Sequence, residues 1–541
     1  LGRARREEAA DDLVTALTHA NVDGEALDER ELGRFFSLLV VAGNETTRNA
    51  LSHALVLLTE HPDQRDAVRR RYDGPARVRG SAGTGKTVVA LHRAAALAER
   101  YREAWQRDGL PILFTTYIKS LPPVFEALYR RLPGTVEGEV HFVHVDKLAF
   151  AVCAEAGARP TINPKDTAAA FASAWRDTVV PDSPLESSAF SKGYLKEEVT
   201  SVIKGRGLTS LDEYLAIERT GRRTPMSATQ REQVWKLWEA WDREMTQRGT
   251  TDFPDIVRRA RDHARQSLYP SYRAAIIDEA QDLTLVGLQL VRALVNGVAG
   301  ADVPDGLFIC GDGGQRIYPG GFTLRQAGVE VRGRTTVLRH NYRNTTEIIE
   351  AAMAVAGGAD IDDLGDRFKR DEALSQAGKD GPVPTLVVAP SFADELAFVA
   401  ETIAKLAESD AVGYGDMAVT VTTNKQADEV TTALNERGIP TLDLEKYKGT
   451  PTDQVKVGTH FRSKGLEFKV VFLPGLGSDH FPAGHAGTDP TAPETGELRQ
   501  RSVSQLYVAM TRARDALFML CTDTPADELA DAVGSFHLVE L

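Results

Sequence analysis

The chain has 541 residues, 42% hydrophobic and 26% charged, the balance of a globular protein with room for about three or four domains. A net charge of −13 gives no support to bulk nucleic-acid binding but does not exclude it, since a basic groove can sit on an acidic body. Three scattered cysteines, Cys153, Cys310 and Cys521, make no metal or disulfide pattern and suit a reducing cytoplasm; the longest apolar run, Phe35 to Gly43, is too short to span a bilayer.

The sequence begins at Leu1 rather than Met and shows no signal-peptide pattern. Asp28 to His61 reads as one long helix, apolar on nearly every side around Phe35, Phe36, Leu38, Leu39, Val40 and Val41. Such a helix calls for burial inside a large domain. Residues 1–62 are therefore expected to form an all-α fragment. The character of the chain changes at His61-Pro62-Asp63-Gln64-Arg65.

Beyond that point Ala76-Arg77-Val78-Arg79 alternates as a short strand does. Gly80-Ser81-Ala82-Gly83-Thr84-Gly85-Lys86-Thr87 fits the phosphate-binding loop G-x-x-x-x-G-K-[ST], and Thr87 to Gln106 has helical spacing without Gly or Pro. A strand, a glycine turn and a helix N-terminus present backbone N–H groups and the helix dipole to a polyphosphate. Lys86 would reach the β- and γ-phosphates, and the Thr87 hydroxyl would ligate Mg²⁺.

Strands are expected at Ile112–Tyr117 and Val140–Val145. Residues 146–250 then read as a helical insertion in which Trp175, Trp235, Trp238 and Trp241 belong to the core. Trp235 and Trp238, three apart, fit one buried stripe. Ala274 to Asp282 is a buried-type strand running into two acids. After a phosphate loop, Asp278 can hold Mg²⁺ and Glu279 can orient and deprotonate the attacking water. A strand at Leu307–Cys310 leads to G-D-G-G-Q-R-I-Y (311–318). There follow N-Y-R-N (341–344), K-G-L-E-F (464–468) and L-Y-V-A-M-T-R-A-R (506–514). From residue 345 helical and strand patterns alternate, which predicts a second parallel sheet with helices on both faces.

This ordered set of motifs resembles the superfamily 1A helicases of the UvrD/Rep type, from about Gln64 to Cys521. The resemblance implies an α/β fold of two RecA-like parallel-sheet motor domains with a helical insertion. The first domain would comprise 63–145 and 251–335, the insertion 146–250, and the second domain 336–541. By the same resemblance Gln64 would read the adenine, Tyr342 would stack on it, and Glu467 would touch the ribose. Gln315 would sense the γ-phosphate, and Arg343 and Arg512 would act on it as arginine fingers. ATP and Mg²⁺ are the implied cofactors. The implied partners are single-stranded DNA (or RNA), traversed 3′ to 5′, and a protein that loads the motor; the location is cytoplasmic, without a membrane.

Thr116, Tyr117, Tyr318 and Phe461 would face the nucleic acid, the three aromatics either stacking on bases or simply packing. Three departures bear on this side. Tyr318 is followed by Pro319-Gly320, so the aromatic usual two residues on is lost unless Phe322 replaces it. The histidine expected two residues after Thr459 is Phe461, with His460 displaced by one. The stretch from Asn344 to Val455 is too short for the family's further helical domain. These departures give weight to an alternative, a nucleic-acid-stimulated ATPase that displaces proteins without unwinding.

Ahead of all this, Ala42-Gly43-Asn44-Glu45-Thr46-Thr47 resembles the oxygen-activating helix of the cytochrome P-450 family, with Glu45 and Thr46 as its acid–alcohol pair. The family's E-x-x-R helix and cysteine ligand loop do not follow, and haem needs an axial ligand. No haem is expected. The intact chain supplied with haem should therefore show no Soret band, and removing residues 1–60 should leave ATP turnover within a few-fold. Stoichiometric haem uptake, read by absorbance, would overturn this.

Overall fold

The computed structural model describes residues 62–186, 190–267, 271–296, 302–311, 321–357, 379–409, 412–478, 480–481 and 492–541, with the backbone of 21–22, 25–26, 361–363 and 366–368. The helix expected over 28–61 lies outside the described residues. Within the fragment read as all-α, β1 (Asn21–Val22) and β2 (Glu25–Ala26) pair antiparallel, Val22 opposite Glu25. That corrects the all-helical reading. The intervening sequence is Asp23-Gly24, a dipeptide favouring two-residue hairpin turns, and the helical reading passed over it.

The first large sheet has six strands: β3 (Ala76–Gly80), β4 (Ile112–Thr116), β5 (Val140–His144), β6 (Ala274–Ile277), β7 (Leu307–Gly311) and β8 (Thr335–Leu338). Their order is β5-β4-β6-β7-β3-β8, and all pairs are parallel. β4, β6 and β7 are buried along their whole length, which explains the apolar sequences of β6 and β7 and the Ile-Leu-Phe start of β4. The order brings the C-terminal ends of β3 and β6 to one edge with only β7 between them. Ligands of open parallel sheets bind at such strand ends. The helix Lys86–Asp108 follows the β3 loop directly. It buries Val89, Ala90, Ala94, Leu97 and Ala98 and stops at Gly109 in the left-handed conformation.

A short antiparallel pair, β9 (Ile361–Asp363) with β10 (Asp366–Phe368), precedes the second large sheet. That sheet comprises β11 (Thr385–Ala389), β12 (Met417–Val421), β13 (Thr441–Asp443), β14 (Val455–Thr459), β15 (Phe468–Leu473), β16 (Ala513–Thr522) and β17 (His537–Glu540). Its order is β13-β14-β12-β15-β16-β11-β17, again all parallel. One apolar cluster joins Val78 and Phe114 of the first sheet to Phe468 and Met519 of the second.

The insertion packs its own core around Phe171, Trp235 and Trp241. Trp235 and Trp238 meet edge to face at 4.4 Å, the stripe expected from their spacing. A π-helical segment, Glu198–Lys204, has a buried charge at each end. Lys204 Nζ donates to Asp252 and Asp255, both at 2.7 Å. Glu198 accepts from Arg219 Nε at 2.7 Å, Arg222 Nε at 3.0 Å and Tyr214 Oη at 2.9 Å. Arg222 also reaches Glu497, at 2.9 Å, on the helix Thr495–Met510 of the second α/β layer.

Burial by itself raises the Glu198 carboxyl, but its bonds to Arg219 and the charge of Arg222 outweigh that and hold it below the usual range. A depressed carboxylate contributes stability above its unfolded-state pKa, and that contribution is lost as pH falls through the folded value. Glu198→Gln should therefore cost about 3–5 kcal/mol, since it removes the carboxylate that faces buried Arg219 and one of those that face Arg222. The loss should shrink on acidification; thermal melts of both proteins across pH 3–7 measure it.

Candidate nucleotide site between the two sheets

The loop from Gly80 to Thr87 leaves β3 and wraps the Lys86 ammonium. Lys86 Nζ donates to Gly80 O at 2.7 Å and Ser81 O at 2.8 Å, and Thr84 Oγ1 donates to Ser81 O at 2.9 Å. Gly83 and Gly85 have φ of 75° and 86°, which side chains rarely adopt. At Gly83 a Cβ would also lie 2.3 Å from Asn341 Oδ1, so this glycine is required twice over. Ala82 is buried beneath the loop.

β6 ends at Ile277, and the chain turns through Glu279, a non-glycine residue at φ 53°, into the short 3₁₀ turn Ala280–Asp282. A left-handed glutamate costs about 1–2 kcal/mol and is sustained by what surrounds it. Thr87 Oγ1 donates to Asp278 Oδ2 at 2.7 Å, and Gln281 Nε2 donates to Glu279 Oε2 at 2.5 Å. Burial, then the neighbouring Glu279, push Asp278 up to about 7. A buried carboxyl beside a hydroxyl and a second acid, lacking enough positive charge, is a donor set that fits a hard divalent cation.

Glu279 behaves oppositely. Burial raises it, but the charges of Lys464, Lys86 and Arg512 together hold it below the ordinary carboxylate value. Lys86 comes from the phosphate loop, whereas Lys464 and Arg512 come from the second sheet's connections. Lys464 is fully buried, with Nζ 2.6 Å from Asp282 Oδ2 and 4.0 Å from Glu279 Oε2. In the sequence Lys464 and Asp282 stand in separate motifs, and neither declares a role. Only a contact 182 residues apart reveals it.

Arg343 Nε pairs with Glu467 Oε2 at 2.7 Å, so a residue read as a phosphate contact and one read as a ribose contact meet each other. Burial, opposed by Arg343 and then Arg514, leaves Glu467 below its usual value. Arg512 is buried; its Nε donates to Val508 O at 2.8 Å and its Nη2 to Thr511 Oγ1 at 3.1 Å. Burial, with Arg343 beside it, pushes its guanidinium down to about 9, which leaves it charged at neutral pH. Gln64 is 3% exposed and contacts Thr84 O, while Tyr342 N donates to Gly83 O at 2.9 Å, so both adenine candidates sit on the loop.

Of the residues read as facing nucleic acid, Phe461 is 38% exposed just past β14. Tyr117, just past β4, is half-buried against the core of the first sheet. Thr116 is fully buried, its hydroxyl accepting from Ile118 N at 3.4 Å. His460 is buried and bonded to Thr420 at 3.0 Å. Phe322 is 3% exposed in the core, which removes it as a replacement stacking residue. Gln315 and Tyr318 lie outside the described residues.

A phosphate loop at the strand ends of one parallel sheet, faced by arginines and a lysine from a second, defines a two-domain RecA-like P-loop protein. The chain belongs to the UvrD-like helicase family: residues 164–329 match the UvrD/REP helicase N-terminal domain, and 336–450 and 442–524 match the UvrD-like helicase C-terminal domain. Over 219 residues it is 32% identical to the ATP-dependent DNA helicase UvrD1 of Mycobacterium tuberculosis (strain ATCC 25618 / H37Rv), covering 38% of this chain and 28% of that protein. A 76-residue segment is 51% identical to the methyl-branched lipid omega-hydroxylase of the same strain, 14% of this chain and 18% of that protein. A 60-residue segment is 52% identical to the steroid C26-monooxygenase of Rhodococcus jostii (strain RHA1), 11% of this chain and 13% of that protein. The chain thus spans less than a third of each of these curated relatives. Among solved structures, the C-terminal domain of a possible DNA helicase from Lactobacillus plantarum WCFS1 aligns over 36% of this chain and 98% of that one, at 19% identity and a TM-score of 0.27.

Removing the Lys464 charge alone should strand Asp282 and Glu279. Lys464→Met is expected to lose about 3–5 kcal/mol of stability, while Lys464→Met with Asp282→Leu should recover most of it. Denaturant melts of the two variants decide; equal losses would mean the pair is not the interaction that matters.

Proposed function

We propose that the chain is an ATP-hydrolysing motor that moves along single-stranded DNA, 3′ to 5′ as its family resemblance implies. The observation that most supports this is the convergence on Glu279 of charge from Lys86, Lys464 and Arg512, which come from both α/β layers. In this reading residues 63–155 and 251–338 form the first RecA-like unit, because the helix Val145–Glu155 packs in the first sheet's core and β8 pairs with β3, with 156–250 as the insertion and 339–541 as the second unit.

Gln64, whose buried Oε1 has no hydrogen bond among the described residues, and Tyr342 take the adenine; Glu467 takes the ribose. The loop 80–87 cradles the phosphates, with Lys86 moving from its own carbonyls to the β- and γ-phosphate oxygens. Thr87 and Asp278 would hold Mg²⁺, which neutralises phosphate charge when bound. Glu279 takes the proton of the attacking water as its oxygen bonds to the γ-phosphorus. The bond from that phosphorus to the β,γ-bridging oxygen breaks, leaving ADP and phosphate. Lys86, Arg343 and Arg512 offset the charge spread over the transferring group. Since the arginines and Lys86 belong to different layers, turnover depends on how those layers meet, and this couples hydrolysis to movement.

Phe461 and Tyr117 offer stacking faces to a single strand. Burial of Phe322 and the short connection from Asn344 to Val455 favour a second reading, in which the motor translocates and displaces bound proteins but unwinds long duplex poorly. Cys153, Cys310 and Cys521 are buried within the two α/β cores, which supports the reading without a haem thiolate.

Steady-state ATPase with and without single-stranded DNA and RNA tests the reading, followed by strand displacement on 3′- and 5′-tailed duplexes. Turnover should rise with the single strand, and Glu279→Gln should cut it about 10²-fold or more while ATP still binds. A rate indifferent to both nucleic acids would remove the motor reading, and a fast Glu279→Gln protein the assignment of the base.

A further inference from the structure

The turn Asn341-Tyr342-Arg343-Asn344 contains two asparagines that the mechanism above leaves without a task. Both are fully buried. Asn341 Nδ2 donates to Ala82 O of the phosphate loop at 3.0 Å and to Asn344 Oδ1 at 3.2 Å. Asn344 Nδ2 in turn donates to Thr511 O at 3.0 Å and Ala513 O at 2.5 Å. Asn341 Oδ1 accepts from Arg343 N at 2.9 Å and Asn344 N at 3.1 Å. All four side-chain N–H bonds of the two amides thus end on oxygen. Turning either amide over would set oxygen against oxygen, so each has one orientation. A buried polar network satisfied to this degree is rigid and specifies a single arrangement.

Both arginines hang on these amides. Arg343 lies between Asn341 and Asn344 in the chain, and its N–H is held by the first. Arg512 lies between Thr511 and Ala513, whose carbonyls are held by the second. At the other end the network grips Ala82 O, and Tyr342 N donates to Gly83 O at 2.9 Å alongside. Gly83 has no room for a Cβ because Asn341 approaches so closely.

We propose that Asn341 and Asn344 are positioning residues that register Arg343 and Arg512 against the phosphate loop, so that a shift of the loop on nucleotide binding moves both guanidinium groups together. Neither asparagine touches the phosphates; each acts through an arginine. The inference rests on the ATPase reading above, in which those arginines stabilise the transferring phosphoryl group.

The test uses the full chain, with a fluorescent ATP analogue for binding and steady-state turnover for rate. Asn344→Asp keeps the size but offers at most one donor where the amide has two. Asn344→Leu has none and brings no charge, so it decides if the aspartate fails to fold. Either folded variant should bind the analogue within about 3-fold of the parent, with KM little changed and kcat down about 30-fold or more. A merely structural role would lower the melting temperature without that split between kcat and KM. Combining Asn344→Leu with Arg512→Ala should be scarcely slower than Arg512→Ala alone, because the asparagine acts through that arginine. Parent-like kcat in a folded Asn344 variant, or fully additive losses in the double variant, would overturn the proposal while leaving the ATPase reading intact. Parent-like kcat in Arg512→Ala would instead overturn the arginine's role, and this inference with it.

Discussion

The Lys464 ammonium is buried in the protein opposite Asp282 and Glu279. The desolvation of an ammonium and a carboxylate costs several kcal/mol for each ion, and close pairing offsets it. Because the lysine and the acids sit on different sheets, that requirement fixes how the sheets meet. Arg512, buried beside Arg343 in the same junction, needs carboxylates within reach for the same reason, and Glu279 and Glu467 answer it. The acids at the end of β6 are thus balanced jointly by the phosphate loop and by the second α/β layer. Separating the layers leaves charge uncompensated on both.

The left-handed backbone at Glu279 belongs to the same economy of space. The side chain must leave the end of a fully buried strand and still meet Gln281, Lys86 and the cations opposite, and the sharp turn into Ala280–Asp282 allows it. Gly311, at the end of β7, makes room: a Cβ there would lie 2.8 Å from Gln281 Oε1.

The parts of the site that are contiguous in the chain were legible in the sequence. Gly80 to Thr87 and Asp278-Glu279 declare their chemistry because strand, turn and reacting groups follow one another within a few residues. The two parallel sheets were legible for a similar reason, since doubly covered strands such as β6 and β7 read as unbroken apolar runs. What the sequence hid is long-range pairing. Lys464 with Asp282, and Glu198 with Arg219 and Arg222, depend on partners that only the fold brings together. Phe322 shows the converse error of a local rule: an aromatic four residues beyond Tyr318 could serve as a substitute on paper, but it is committed to the core. At β1 and β2 the Asp23-Gly24 signal was present and was overridden by a reading of the whole fragment as helical.

The helix Thr495–Met510 begins at the insertion and ends beside Arg512. Near its start Glu497 is gripped by Arg222, Tyr194 and Thr224, and Glu494 accepts from Ser191 N at 2.7 Å. Its 16 residues span about 24 Å at 1.5 Å per residue. A rod clamped at one end is a lever. A tilt of only about 5° at the clamp carries the far end roughly 2 Å, enough to make or break a hydrogen bond to a phosphate oxygen. Small rotations of the insertion, which lies far along the chain from any nucleotide motif, would thereby be magnified at Arg512, the proposed phosphate contact.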